Sequence, residues 1–176
     1  ASLKPTSGRL LGMLIPLIVF HFLVMIPIFN LADQLRQFPL RQAAKLLVKS
    51  HRDSEPLVMV GAMKPSLHFY TNHIIVFEGR SRNALVNLSD RLEKEERRGW
   101  SAYSLNTSNL EKTMLVVIDK RSSVKTYWQG LDHKLLGEFG VYSVWRLKYK
   151  DLKRRSDELM KKGYLPNWKL PKPERF

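Results

Sequence analysis

The chain has 176 residues, no cysteine and a formal net charge of +14 at pH 7. Without cysteine it forms no disulfide and no thiolate metal site, and its redox compartment stays open. So large a basic excess points to nucleic acid, anionic lipid headgroups or an acidic partner.

After a flank over residues 1–9, the segment from Leu10 to Ala32 carries no formal charge and is bracketed by Arg9 and Asp33. At about 1.5 Å per residue, roughly twenty apolar residues match a hydrocarbon core of about 30 Å. The segment is apolar all round, unlike an amphipathic core helix. It is longer than the apolar region of a signal peptide and leads into Asn30-Leu31-Ala32-Asp33-Gln34, with no convincing cleavage site. A transmembrane helix over 10–32 is therefore expected. Pro16 and Pro27 lie inside it, and His21 is its one titratable group. Membrane helices tolerate proline where neighbours satisfy the freed carbonyls. These three residues point to packing against other transmembrane helices of a larger protein or complex, as well as against the lipid bilayer.

The remainder is long enough for one domain with its own core. Phe38 to Lys49 carries a helical stripe of Phe38, Leu40, Ala43, Ala44, Leu47 and Val48. Leu57-Val58-Met59-Val60, followed by Gly61, reads as a strand buried on both faces. Lys64 to Tyr70 suits a short helix with Pro65 near its first turn. Ile74-Ile75-Val76-Phe77 is a second strand, and Ser81 to Arg98 a helix with Ala84, Leu85, Leu88 and Leu92 on one face. Thr113 to Ile118 is a third strand. A helix is expected from about Ser122 to Gly130, then a hairpin of Lys134–Glu138 and Val141–Leu147 around Phe139-Gly140. This alternation predicts a small three-layer α/β domain over 33–150, with a mostly parallel sheet and an antiparallel edge. Residues 151–176 read as a basic tail punctuated by Pro166, Pro171 and Pro173, a helix followed by an extended stretch. From Arg146 to Phe176 there are eleven Lys/Arg against four Asp/Glu. Beside a membrane span, anionic headgroups are the economical partner for that charge; nucleic acid is supported by charge alone and is not expected.

Chemistry is sparse. Neither phosphate-cradling glycine fingerprint is present, and no G-x-S-x-G elbow exists. Gly61 reads as close strand–helix packing rather than as a phosphate turn. His21, His51, His68, His73 and His133 include no i, i+4 pair, so no metal site and no cofactor are expected. Glu93, Glu95 and Glu96 alternate with Lys94, Arg97 and Arg98 as a solvated charge run. Asp119, at the end of the third strand, is the most suggestive carboxylate, because open α/β sheets bind ligands outside the carboxyl ends of their strands. A helix cap or a surface ion pair with the adjacent Lys120-Arg121 explains it equally. Lys64-Pro65-Ser66 sits at the exit of the first strand, where a proline-started helix or an anion contact fits. The aromatics Phe69-Tyr70, Trp100, Tyr103, Tyr127-Trp128, Tyr142 and Trp145 suit a core or an interfacial belt better than stacking on sugars or bases. The sequons at Asn87 and Asn106 matter only in a eukaryotic secretory setting.

The order of stretches carries a resemblance. After the apolar span come Asp33-Gln34-Leu35-Arg36-Gln37-Phe38-Pro39-Leu40-Arg41, Glu55-Pro56-Leu57-Val58-Met59-Val60-Gly61, Lys64-Pro65-Ser66-Leu67-His68-Phe69-Tyr70-Thr71, and Val141-Tyr142-Ser143-Val144-Trp145-Arg146-Leu147. Over about residues 10–150 this resembles the C-terminal end of the polytopic lipid-linked-sugar glycosyltransferases, the dolichyl-phosphate-mannose–protein mannosyltransferase and aminoarabinose-transferase group, in its cyanobacterial branch. The resemblance implies a soluble cap, on the extracytoplasmic face, over a site where a sugar leaves a polyprenyl-phosphate donor by an inverting displacement. The catalytic carboxylate of that group belongs to an early extramembrane loop with no counterpart in this sequence, so no catalytic residue is expected here. Lys64, Asp119, Lys120 and Arg121 are then the candidate contacts to phosphate or sugar, in a plasma or thylakoid membrane protein. The alternative is a non-enzymatic single-span accessory subunit, docked through Pro16, His21 and Pro27. Ala1 in place of Met is expected of a processed chain or of the tail of a longer one.

Overall fold

The computed structural model describes residues 7–52, 55–97 and 112–167. The chain divides into two units, Ala1–Phe38 and Pro39–Phe176.

The first unit is helical: α1 (Ser7–Phe20), a π-helical turn (His21–Met25) and α2 (Ile26–Arg36). From Gly12 to Arg36 it is long and apolar enough to cross a membrane, and its apolar window is unburied throughout. The π turn has a local cause. Pro27 donates no hydrogen bond and its ring crowds the carbonyl four residues back. The wider turn immediately before it, closed by Ile26 N–H to the His21 carbonyl, is the adjustment by which helices absorb such a residue.

The second unit begins with α3 (Phe38–Ser50, its first residue in the first unit) and continues through β1 (Leu57–Val60), α4 (Ser66–Thr71), β2 (Ile75–Glu78) and α5 (Ala84–Arg97). After the connection come β3 (Thr113–Asp119), α6 (Lys120–Ser123), β4 (His133–Phe139), β5 (Tyr142–Lys148) and α7 (Tyr149–Lys161). The sheet has the order β2-β1-β3-β5-β4. β1 lies parallel to both β2 and β3, while β5 runs antiparallel to β3 and β4. This is an α/β domain with a mostly parallel core and an antiparallel edge.

Strand periodicity sorts the core into two layers. Val58, Val60, Val76, Met114, Val116 and Ile118 point to one face, where Leu85, Leu88, Trp128, Leu152 and Leu159 cover them. Leu57, Met59, Ile75, Leu115 and Val117 point to the other, under Leu40, Ala43, Ala44 and Leu47 of α3 and Leu67 of α4. Central strands buried on both faces explain why β1 and β3 read as continuous apolar runs.

One element departs from expectation. The helix predicted over Ser122–Gly130 is a single turn, Lys120–Ser123: the Asp119 side chain fixes its start by accepting the Ser122 N–H, and beyond it the Lys125 N–H turns back to the Ser122 carbonyl and the Trp128 N–H to the Lys125 carbonyl. Turns then carry Tyr127 and Trp128 into the core. The helix expected at the start of the basic tail is α7, which buries Leu152, Ser156 and Leu159 against the sheet and α5.

Candidate functional site

The parallel register aligns the carboxyl ends of three strands: Val60 pairs with Glu78 on one side and Ile118 on the other. One residue on, Gly61, Gly79 and Asp119 share a level; one further, Arg80 and Lys120 do. From β1 the chain turns to α4 on the face that α3 covers, and from β3 it turns to α6 and Trp128 on the opposite face. The gap between β1 and β3 is thus a topological switch point, where open α/β sheets bind ligands.

Gly61 closes the base of this gap. Its φ is +95°, and a Cβ there would lie 2.3 Å from Asp119 Oδ2 and 2.6 Å from Ser122 Oγ. The glycine therefore serves close packing, and no cradle for a phosphate opens at it. Its N–H donates to the Glu78 carbonyl at 2.9 Å, tying β1 to β2.

Asp119 is buried and engaged at both oxygens. Oδ1 accepts the Ser122 N–H at 2.6 Å. Oδ2 accepts Arg80 Nε at 2.9 Å and Nη2 at 2.7 Å. The carboxylate is both the cap of α6 and the anchor of a guanidinium that stays about one third exposed. Tyr127 Oη donates to the Arg80 carbonyl and holds the same loop. Opposite Asp119 across the ladder stands Tyr142, whose hydroxyl is pushed up by burial and then by the Asp119 charge, with Arg80 opposing. The Ser122 hydroxyl is buried without a hydrogen-bond partner among the described residues.

Of the residues singled out in sequence, Lys120 and Arg121 follow Asp119 directly and are exposed; Lys120 Nζ stands 3.5 Å from Glu138 Oε2. Lys64, on the loop after β1, is partly buried. Arg80 escaped the sequence reading. Its signal was the position of Gly79-Arg80 just past the second strand, which only the parallel register sets beside Asp119. Glu78 ends β2 almost fully buried, and its carboxyl is pushed up by burial, against the opposing Asn87 hydrogen bond and the Arg91 charge. Asn87 donates to Glu78 and accepts the Asn167 N–H, so the sequon at Asn87 is closed to modification; Trp100, Tyr103 and Asn106 lie outside the described residues.

The histidines lie elsewhere. His51 and His73 have ring centroids 4.6 Å apart, and His68 Nδ1 meets the His73 carbonyl. Burial, then the nearby His51, lowers His73. His133 stacks on Trp145 at 4.0 Å. His21 lies in the first unit, edge-on to Phe22. No group of three or more metal-ligating side chains occurs among the described residues. At the far end of the sheet an open cavity of about 560 Å³ is lined by Lys112, Lys148, Lys150, Lys153, Asp132 and Asp151 around Tyr149. It contains none of the residues singled out in sequence.

A family model described as "Cyanobacterial RgtA-type glycosyltransferase, C-terminal domain" matches residues 50–163, which covers β1 to α7. No curated protein and no solved structure matches the chain.

Proposed function

The chain belongs to the family of cyanobacterial RgtA-type glycosyltransferase C-terminal domains, and from this premise we propose that it is a membrane span with a cap that binds the headgroup of a polyprenyl-phosphate sugar donor. In this reading residues 10–32 cross the bilayer, and residues 33–150 with the following helix form the cap on the extracytoplasmic side. Lys120, Arg121 and Lys64 contact the donor phosphate, and Asp119 positions Arg80 beside them. The observation that supports this is the Arg80 guanidinium held on Asp119, the cap of α6, with Lys120 and Arg121 next in sequence at the switch point of the sheet.

What such an arrangement does chemically is bind and orient. Guanidinium and ammonium groups donate to phosphate oxygens and neutralise charge on a leaving phosphate. Both Asp119 oxygens are already committed to hydrogen bonds, so it is unsuited to deprotonating an acceptor. In this reading bond breaking belongs to the carboxylate of the early extramembrane loop that the resemblance implies.

A second reading, a non-enzymatic accessory subunit, draws on the first unit. A π turn beginning at His21, next to Pro27 and in an apolar helix that also contains Pro16, offers irregular backbone that a neighbouring transmembrane helix would cover.

The test is binding of undecaprenyl phosphate to the full chain in nanodiscs, followed by native mass spectrometry. Arg121→Gln with Lys64→Gln removes two charge-assisted contacts, each of about 1.5–3 kcal/mol, and is expected to weaken binding at least tenfold. Binding that survives the double substitution unchanged overturns the cap-as-binder reading in favour of the accessory subunit.

A further inference from the structure

The same end of the sheet carries an apolar edge. Val141, in the β4–β5 turn, is 56% exposed, and Val124, just after α6, is 65% exposed. Lys120 and Arg121 lie beside them, for the Lys120 N–H donates to the Val141 carbonyl at 2.9 Å. A bilayer surface rewards exposed apolar side chains beside cations: apolar tips enter the acyl boundary and cations meet phosphates.

The chain enters the second unit at this end. The second unit starts at Pro39, and Pro39 packs on the β4–β5 turn: a Cβ on Gly140 would lie 3.1 Å from Pro39 Cγ. Arg36, the last residue of the apolar helix, is three residues earlier, and three residues span at most about 10 Å. Within the second unit the opposite end is the length of β3 away, seven residues from Thr113 to Asp119, about 20 Å at the usual rise.

We propose that this edge, Val124 and Val141 flanked by Lys120 and Arg121, rests on an anionic bilayer surface and fixes the height at which the switch-point cations meet phosphates. The inference rests on the membrane-span part of the function proposed above and not on sugar transfer.

The native chain has no cysteine, so single cysteines label uniquely. Val141→Cys, Val124→Cys, Lys150→Cys at the far end and Leu17→Cys in the apolar helix are each made in the full chain. They carry an environment-sensitive fluorophore and are placed in nanodiscs containing phosphatidylglycerol and lipid-borne nitroxides, without polyprenyl phosphate. Quenching at 141 and 124 several-fold above that at 150 supports the proposal. Quenching at 150 equal to or above that at 141 overturns it while the span reading stands. A label at 17 that escapes quenching shows that the helix does not insert, and overturns both. Lys120→Glu with Arg121→Glu, in the Val141→Cys background, is expected to reduce quenching at 141 in phosphatidylglycerol and leave it unaltered in pure phosphatidylcholine. Unaltered quenching in both lipids removes the cations from the proposal.

Discussion

Gly61→Ala tests the closure of the switch point. Two costs arise at Gly61. An L side chain at φ +95° pays the left-handed penalty, about 1–2 kcal/mol. The new Cβ also meets Asp119 Oδ2 at 2.3 Å and Ser122 Oγ at 2.6 Å, distances that force both to move. Overpacking of this kind costs about 1–3 kcal/mol, so the total is about 2–5 kcal/mol. Gly163 provides the control, for its φ is +86° and a Cβ added there would meet nothing within 4 Å. Gly163→Ala should therefore cost only the backbone part, about 1–2 kcal/mol. The assay is urea unfolding of the full chain in nanodiscs, followed by tryptophan fluorescence, since Trp128 and Trp145 are buried in the domain. Restoring space with Ser122→Ala in the Gly61→Ala background should recover part of the loss, because that hydroxyl has no partner to give up among the described residues. If Gly61→Ala costs no more than Gly163→Ala, the contact argument fails and Asp119 is not held where its distances place it.

Two further outcomes follow from buried charge. Glu55 is 2% exposed at its side chain and receives Arg146 Nε at 2.9 Å and Nη2 at 3.1 Å, with Thr113 Oγ1 at 2.7 Å. Glu55→Ala leaves that guanidinium without its partner and should cost about 3–5 kcal/mol; a urea midpoint close to wild type would show that solvent compensates. Glu78 is held above its ordinary 4.5, first by burial, so the folded state keeps a proton that the unfolded state has released. Its contribution is greatest in acid and is lost as pH rises from 4.5 through the raised value. Glu78→Gln retains an oxygen for Asn87 and removes the titration. Its stability relative to wild type should rise with pH across that window, and a difference independent of pH would refute the assignment.

Much of the fold was legible in sequence where a single physical property decides the element. Leu10–Ala32 was readable because length and absence of charge suffice. β1 and β3 were readable because strands buried on both faces have no polar alternation to misread. The site was legible only in part. Asp119 could be found as a strand-end carboxylate, but its partner Arg80 lies 39 residues earlier and becomes its neighbour only through the β2-β1-β3 register. Periodicity could not distinguish a helix over Ser122–Gly130 from one capped turn, because Tyr127 and Trp128 are buried in either arrangement.

Charge density in sequence and charge available at a surface are different quantities. The C-terminal segment has the densest basic run, yet α7 engages much of it in its own ion pairs. Arg154 and Arg155 both reach Glu158 at 3.0 and 2.9 Å, and Lys153 reaches Glu93 at 3.7 Å. The hydrogen bond from Arg155, with the charge of Arg154, holds the Glu158 carboxyl below its usual range. Such exposed pairs add little to stability, but they reduce the local positive field that would draw anionic lipid. Lys120 and Arg121 are only two charges, with Glu138 as the acidic neighbour of the first. They sit at the end of the sheet where the chain arrives from its apolar helix and beside exposed valines. In the proposed arrangement that position outweighs number, because surface potential decays within about one Debye length, some 8 Å at physiological salt, while the other end of β3 is about 20 Å away along the strand.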